Sequence, residues 1–214
     1  MKEKNEVNMS NKNKGHVYII DDDLEMRNSL ARSLGFIGYD VYTYSDPKDF
    51  LNINEIYKPA VILLDMRMKN VSGLDFQIQL IDKKISTPII FISGESDKNE
   101  IIQAMKNGAV DFLLKPFDLN TIEKSVSQAL QKSKNQAAEI ELRNIYIEKY
   151  ELLTPREKEV CLLLVEGLKI KEISDTLGVT IATLKIHKAR VMKKMGTTST
   201  PVLLRMIDAI KDII

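Results

Sequence analysis

The chain has a single cysteine, Cys161, in 214 residues. A lone thiol excludes an internal disulfide framework and fits a reducing compartment. Cys161 lies in an apolar helical run, where a buried and inert thiol is expected. No apolar stretch approaches the length of a membrane span, and the polar N-terminus lacks the apolar core of a signal peptide. Excess charge is missing too, since 31 Lys and Arg face 30 Asp and Glu. Any affinity for a polyanion must therefore come from a local patch. A soluble cytoplasmic protein without membrane partners is expected. Residues 1–14 are Asn- and Lys-rich with almost nothing to bury, so they read as a disordered tail, with Met9 as an alternative start.

What the chain does have is the run Val61-Ile62-Leu63-Leu64-Asp65. Four apolar residues lead straight into one carboxylate. Such a run, closely preceded by Pro59, reads as a buried parallel strand. An Asp at its carboxyl end stands where open α/β sheets put their ligands. Around it, strands and helices alternate. Val17–Ile20 ends in Asp21-Asp22-Asp23, and Leu24–Leu34 has helical spacing up to Gly35. Tyr39–Tyr44 is a second strand, and Asp46-Pro47 opens a helix. After the Asp65 strand, Asn70–Gly73 is a turn and Leu74–Asp82 a helix. Pro88–Ile92 is a strand ending at Ser93-Gly94, and Asn99–Lys106 a helix closed by Gly108. Val110–Leu114 ends at Lys115-Pro116, and a long helix begins near Asn120. Five β-then-α units predict a doubly wound parallel sheet, an α/β (βα)5 domain.

In that fold the ends of the first, third, fourth and fifth strands share one edge. They deliver Asp21-Asp22-Asp23, Asp65, Ser93 and Lys115. Each has an ordinary reading alone: a helix cap, a turn hydroxyl, a solvated charge. Together they suit phosphoryl transfer to a carboxylate. Clustered acids make a hard-oxygen site for Mg²⁺. Asp65 would be the nucleophile, and Lys115 and the Ser93 hydroxyl would meet phosphoryl oxygens.

This ordered set, with Lys115-Pro116-Phe117, resembles a response-regulator receiver domain, whose fold is flavodoxin-like. The resemblance covers residues 15–132. It implies that Asp65 accepts phosphate from a sensor histidine kinase. It implies Asp21, Asp22 and Asp65 as metal carboxylates, with the Arg67 main-chain carbonyl as a further ligand. Ser93 would be the switch hydroxyl, Phe112 the switching aromatic, and the Lys115-Pro116 peptide cis. Two positions depart from the pattern. Asp23 replaces a common glutamate, and Lys69 stands where many receivers carry proline, leaving that loop less rigid.

Asn120 to Tyr150 is one helical stretch without glycine or proline. Ile122, Val126, Ala129 and Leu130 should pack on the sheet. Ala137, Ile140 and Ile145 form a thin apolar stripe. A solvated helical linker over residues 133–149 and a dimer-forming coil are both open.

Residues 150–214 predict an all-α unit. Thr154, Pro155 and Glu157 form a capping box opening a helix through Val165 that ends at Gly167. A short helix with Ile170, Ile173 and Leu177 ends at Gly178. Thr180 caps a third helix running to Met195, so a helix-turn-helix is expected. That helix holds Lys185, Lys188, Arg190, Lys193 and Lys194 and no acid. Ile181, Leu184, Val191 and Met195 would face inward, and Ala182, Lys185, Ile186, Ala189, Arg190 and Lys193 outward. A cationic face with small and aliphatic residues between the charges suits a major-groove recognition helix. His187, near the inward edge, reads as a packed, hydrogen-bonded core histidine.

Leu153–Val160, Lys171-Glu172-Ile173 and Thr183–His187 carry a resemblance to the NarL/FixJ (LuxR-type) DNA-binding domain. Lys188–Met192 is nearer the FixJ side. The family implies four helices, the last over Pro201–Ile210, which commonly dimerises. It implies Thr183, Lys185, Ile186, Lys188, Arg190 and, on the same face, Lys193 as contacts to double-stranded DNA. The combined expectation is a two-component transcriptional regulator, homodimeric when phosphorylated, and not an enzyme. A phosphate sink or relay and a phosphorylation-independent regulator are the alternatives.

Overall fold

The computed structural model describes residues 13–95 and 97–214. The tail over residues 1–12, with Met9, lies outside the described residues. Asn13 and Lys14, grouped with that tail above, belong to the fold. The Asn13 amide donates to Asp40 Oδ2 at 2.6 Å, and Lys14 pairs with Glu123 at 3.1 Å.

The chain divides into two compact units, residues up to 137 and residues 138–214. The first holds strands β1 (His16–Ile20), β2 (Asp40–Tyr44), β3 (Ala60–Asp65), β4 (Ile89–Ser93) and β5 (Asp111–Leu114). All pair in parallel, in the order β2-β1-β3-β4-β5. Between them run α1 (Leu24–Phe36), α2 (Pro47–Leu51), α3 (Gly73–Asp82) and α4 (Lys98–Lys106), followed by α5 (Leu119–Glu151).

The period-two alternation of strands explains how the sheet fills both sides. Val17, Ile19, Val61, Leu63, Ile90 and Ile92 pack with Leu30 and Leu34 of α1 and Ile122, Val126, Ala129 and Leu130 of α5. Tyr18, Ile20, Ile62, Leu64 and Phe91 pack with Phe50 of α2, Phe76 and Leu80 of α3 and Ala104 of α4. Every residue of β3 is buried, as a central parallel strand requires. Strand order reverses between β1 and β3, and the switch point lies outside their carboxyl ends.

One helix end differs from its sequence expectation. Helix α1 does not stop at Gly35 but runs through it to Phe36, and the turn is made at Gly38 with φ +100°. A Cβ at Gly35 would meet nothing, so neither packing nor backbone ends the helix there.

The second unit joins the end of α5 to α6 (Pro155–Val165), α7 (Ile170–Leu177), α8 (Ile181–Met195) and α9 (Thr200–Asp208). Its core takes Val160, Cys161 and Leu164 from α6, Ile173 from α7 and Leu184, Val191, Met192 and Met195 from α8. Leu203, Met206 and Ile207 come from α9, and Tyr150 from α5. Thr154 closes the capping box with Glu157. Gly178 ends α7 at φ +62°, a left-handed turn that lets the chain double back into α8 at little cost. Thr180 Oγ1 then accepts from the Thr183 amide at 3.1 Å.

Candidate functional site

The carboxyl edge of the sheet gathers the expected residues. Strand register places Asp65 beside Ile92 and Ser93 beside Leu114, so the ends of β3, β4 and β5 leave the sheet at one level. The Met66 amide donates to the Ile92 carbonyl at 2.9 Å, and the Lys115 amide to the Ser93 carbonyl at 2.7 Å. These bonds carry the ladder just past the strands and fix the first residue of each loop. An open cleft results, lined by Asp21, Asp22, Asp23, Asp65, Arg67, Gly94, Glu95 and Lys115.

Within it Asp21 is 2% and Asp65 6% exposed. Lys115 Nζ donates to Asp65 Oδ1 at 2.9 Å and lies 3.4 Å from Asp21 Oδ2. The second Asp65 oxygen accepts from the Arg67 amide at 2.8 Å. Asp21 Oδ1 accepts from the Asp23 amide at 2.8 Å, and Asp23 itself caps α1. Burial pushes the Asp21 carboxyl above the ordinary carboxylate range; the Asp65 charge adds to this, against the Asp23 amide and Lys115. For Lys115, burial pulls downward, but hydrogen bonding to Asp65 and the charges of both acids together leave its pKa raised. The ammonium is thus firmly protonated, while Asp21 remains short of positive charge.

One ligand oxygen each from Asp21, Asp22 and Asp65 can be chosen so that all lie within 4.8 Å of one another. Three carboxylates at that spacing, two of them buried, fit a hard divalent cation that prefers oxygen and retains some water. A cation here would also relieve the burden on Asp21.

Ser93 is buried, and its hydroxyl donates to the Glu95 carbonyl at 2.7 Å. Phe112 is half-buried and stacks on Phe91, ring centroids 6.1 Å apart. The Lys115-Pro116 peptide is cis as expected; Lys58-Pro59 is cis as well, which the sequence did not signal.

The structure adds a residue that sequence reasoning treated as a turn. Gly73 opens α3, and a Cβ there would sit 2.6 Å from the Asp65 carbonyl oxygen, 2.9 Å from Phe91 and 3.0 Å from Met66. The loop leaving Asp65 folds back so closely that only hydrogen fits. The Gly-Leu pair entering a helix was the available signal, but its reason lies in packing across β3 and β4. The Arg67 guanidinium also reaches Glu100 at 2.9 Å, the residue completing the α4 capping box.

On α8, Lys185, Ile186, Arg190 and Lys193 are exposed, while Thr183 and Lys188 are half-buried. Two expectations need correction, those for Ile181 and for His187. Ile181, placed inward above, is 45% exposed, because the first helical residue precedes the turn that meets the core. Met192 takes a core place instead. Lys194, which the helical spacing left off the outward face, reaches back with its ammonium to Glu157 at 2.6 Å and the Leu152 carbonyl at 2.9 Å. Hydrogen bonding to Lys194, with help from the Thr154 amide, holds the nearly buried Glu157 carboxyl down at about 2. His187 is packed, but its buried Nδ1 has no hydrogen-bond partner among the described residues.

Comparison with known proteins accounts for both units. Residues 17–127 match the response regulator receiver domain, and residues 151–207 the luxR family of bacterial regulatory proteins. Nodulation protein W of Bradyrhizobium diazoefficiens is 35% identical over 92% of this chain and 87% of its own. The transcriptional regulatory protein FixJ of Rhizobium meliloti is 34% identical over 89% of this chain and 93% of its own. Among solved structures, response regulator StyR superposes with a TM-score of 0.76 at 31% identity, covering 90% of this chain and 98% of that one. A receiver fold and a LuxR-type helix-turn-helix in one chain, related along nearly their whole length to such regulators, place it in a family: the protein belongs to the two-component response regulators of the NarL/FixJ type, phosphorylation-controlled DNA-binding regulators of transcription.

Proposed function

We propose that Asp65 is the phosphoacceptor and that the buried Asp65–Lys115–Asp21 arrangement is the observation that carries this reading. One Asp65 oxygen attacks the phosphorus of a phosphohistidine on a sensor kinase. A P–O bond forms, the P–N bond breaks, and the imidazole leaves with the electron pair. Asp21, Asp22 and Asp65, with the Arg67 main-chain carbonyl, would hold Mg²⁺, which supplies charge neutralisation for the incoming phosphoryl group. Lys115, already pointed at Asp65, pairs with a phosphoryl oxygen.

The acyl phosphate adds negative charge and acceptor oxygens. Ser93 exchanges its bond to the Glu95 carbonyl for a phosphoryl oxygen, and Phe112 turns with it. This biases a pre-existing equilibrium between receiver states. The face of α4 and β5 leaves Ile102, Met105 and Leu114 exposed, which supports phosphorylation-dependent pairing of two copies there. The paired chains then present α8 to a two-fold related operator, with Thr183, Lys185, Ile186, Lys188, Arg190 and Lys193 at the DNA. The phosphorelay and its promoter both lie in the cytoplasm on this reading.

The test is treatment of the full chain with acetyl phosphate and Mg²⁺, followed by intact-mass and solution-size measurement. A gain of one phosphate and a shift to dimer are expected, and Asp65→Asn abolishes both. A gain that survives in Asp65→Asn would move the acceptor elsewhere.

A further inference from the structure

The outward pole of α8 is apolar along most of its length. With Leu184, Val191 and Met195 buried in the core, a turn of about 100° per residue sets Ala182, Ile186, Ala189 and Lys193 on the opposite side. All four are exposed, and Ile186 is 54% open to solvent. Lys185 flanks this line on one side and Arg190 on the other. Among the described residues Lys185, Arg190 and Lys193 form no ion pair.

A scattered exposed isoleucine means little on any surface. Here three apolar side chains occupy one line over two turns, spaced i, i+4 and i+7, between free cations. The cations suit a polyanion on both sides of the line. The line itself carries no Asn, Gln, Asp, Glu or Arg until Lys193, so its middle cannot read a base edge by hydrogen bonding. In the major groove the apolar feature that varies with sequence is the C5-methyl group of thymine.

We propose that Ala182, Ile186 and Ala189 select operator sequence by packing on thymine methyl groups, with Ile186 as the principal contact. Lys185 and Arg190 hold the flanking phosphates and orient the helix. This rests on the DNA-binding reading above and adds the base that the helix prefers. Methyl contacts tolerate small sideways shifts of the helix, so discrimination at each position is modest and comes from several thymines together.

The experiment uses the full chain treated with acetyl phosphate and Mg²⁺. A bound duplex is first selected from a randomised pool. Each thymine in it is then replaced singly by deoxyuridine, which removes one methyl and leaves the charge and hydrogen-bonding edge unchanged. At one or two thymines per half-site, affinity should fall about fourfold, the worth of one buried methyl group. In Ile186→Ala, whose side chain is exposed so that folding is preserved, affinity for the thymine site should fall and the same deoxyuridine changes should have no further effect. Equal binding of thymine and fully deoxyuridine-substituted sites overturns the inference and leaves the DNA-binding reading standing. A pool from which no duplex is retained removes that reading, and the inference with it.

Discussion

In the receiver cleft, Asp21 and Asp65 are nearly buried and share one ammonium, Lys115, within 3.4 and 2.9 Å. On α8, Lys185, Arg190 and Lys193 stand in solvent and, among the described residues, have no ion-pair partner. The first site keeps its charges close together in a low-dielectric setting, where each depends on the others. The second keeps its charges apart and hydrated, ready to exchange counterions for a surface that fits. On the function proposed above, the difference separates chemistry from recognition: one site would hold a reacting atom, the other would release its solvent on contact.

The contrast breaks most severely if the cleft loses its cation. Lys115→Met leaves two buried carboxylates without the ammonium they share. Labelling of Asp65 by acetyl phosphate should slow about 100-fold, the usual cost of removing one preorganised charge partner from a transfer site. Intact-mass kinetics in Mg²⁺ measure this, and a rate within about threefold of the native chain would reduce Lys115 to a structural role.

A smaller effect comes from the one place where α8 behaves like the cleft. Glu157 is buried and tied to Lys194, whose ammonium is about one-third exposed, so the pair is partly screened. Glu157→Gln should destabilise the C-terminal unit by about 1–2 kcal/mol at neutral pH. Its folded pKa of about 2 lies below the ordinary 4.5, so its stabilisation is full above pH 4.5 and fades as pH falls toward 2. Urea unfolding followed by circular dichroism should therefore show native and variant chains converging in acid. A gap that stays constant from pH 7 to 2 would show that the stabilisation does not come from the ionised carboxylate.

The smallest effect sharpens the count of outward charges. Lys185→Ala, Arg190→Ala and Lys193→Ala should each lower the slope of log affinity against log salt by about one, if each neutralises a phosphate. Lys194→Ala should leave that slope unchanged, because its ammonium is already committed to Glu157 and the Leu152 carbonyl. A slope that drops in Lys194→Ala would add this lysine to the proposed DNA contacts.

Much of the receiver was legible because a parallel sheet covered on both faces writes itself as uninterrupted apolar runs. The residues following those runs, Asp21, Asp22, Asp65, Ser93 and Lys115, were legible for the same reason: topology decides where a strand ends. What escaped depends on contacts distant in sequence. Lys194 looked like its neighbours until Glu157, 37 positions earlier, was found beside it. Ile181 fitted the amphipathic pattern, yet a periodicity says nothing about where the core begins along the helix. Gly35 was a plausible stop signal that the backbone had no need to obey. The end of α5 also exceeded its reading, since Tyr146 and Ile147 pack against the core of the second unit where a solvated linker had been one possibility.

Gly73 carries a consequence for how such a protein can change over generations. Every single-nucleotide change that replaces this glycine with another amino acid adds a side chain, and the first atom of any side chain would collide with the Asp65 carbonyl oxygen. An amino-acid replacement therefore has no harmless first step at this position. Position 73 leaves a replacement nowhere to go, because the space beside it is too small for a single carbon.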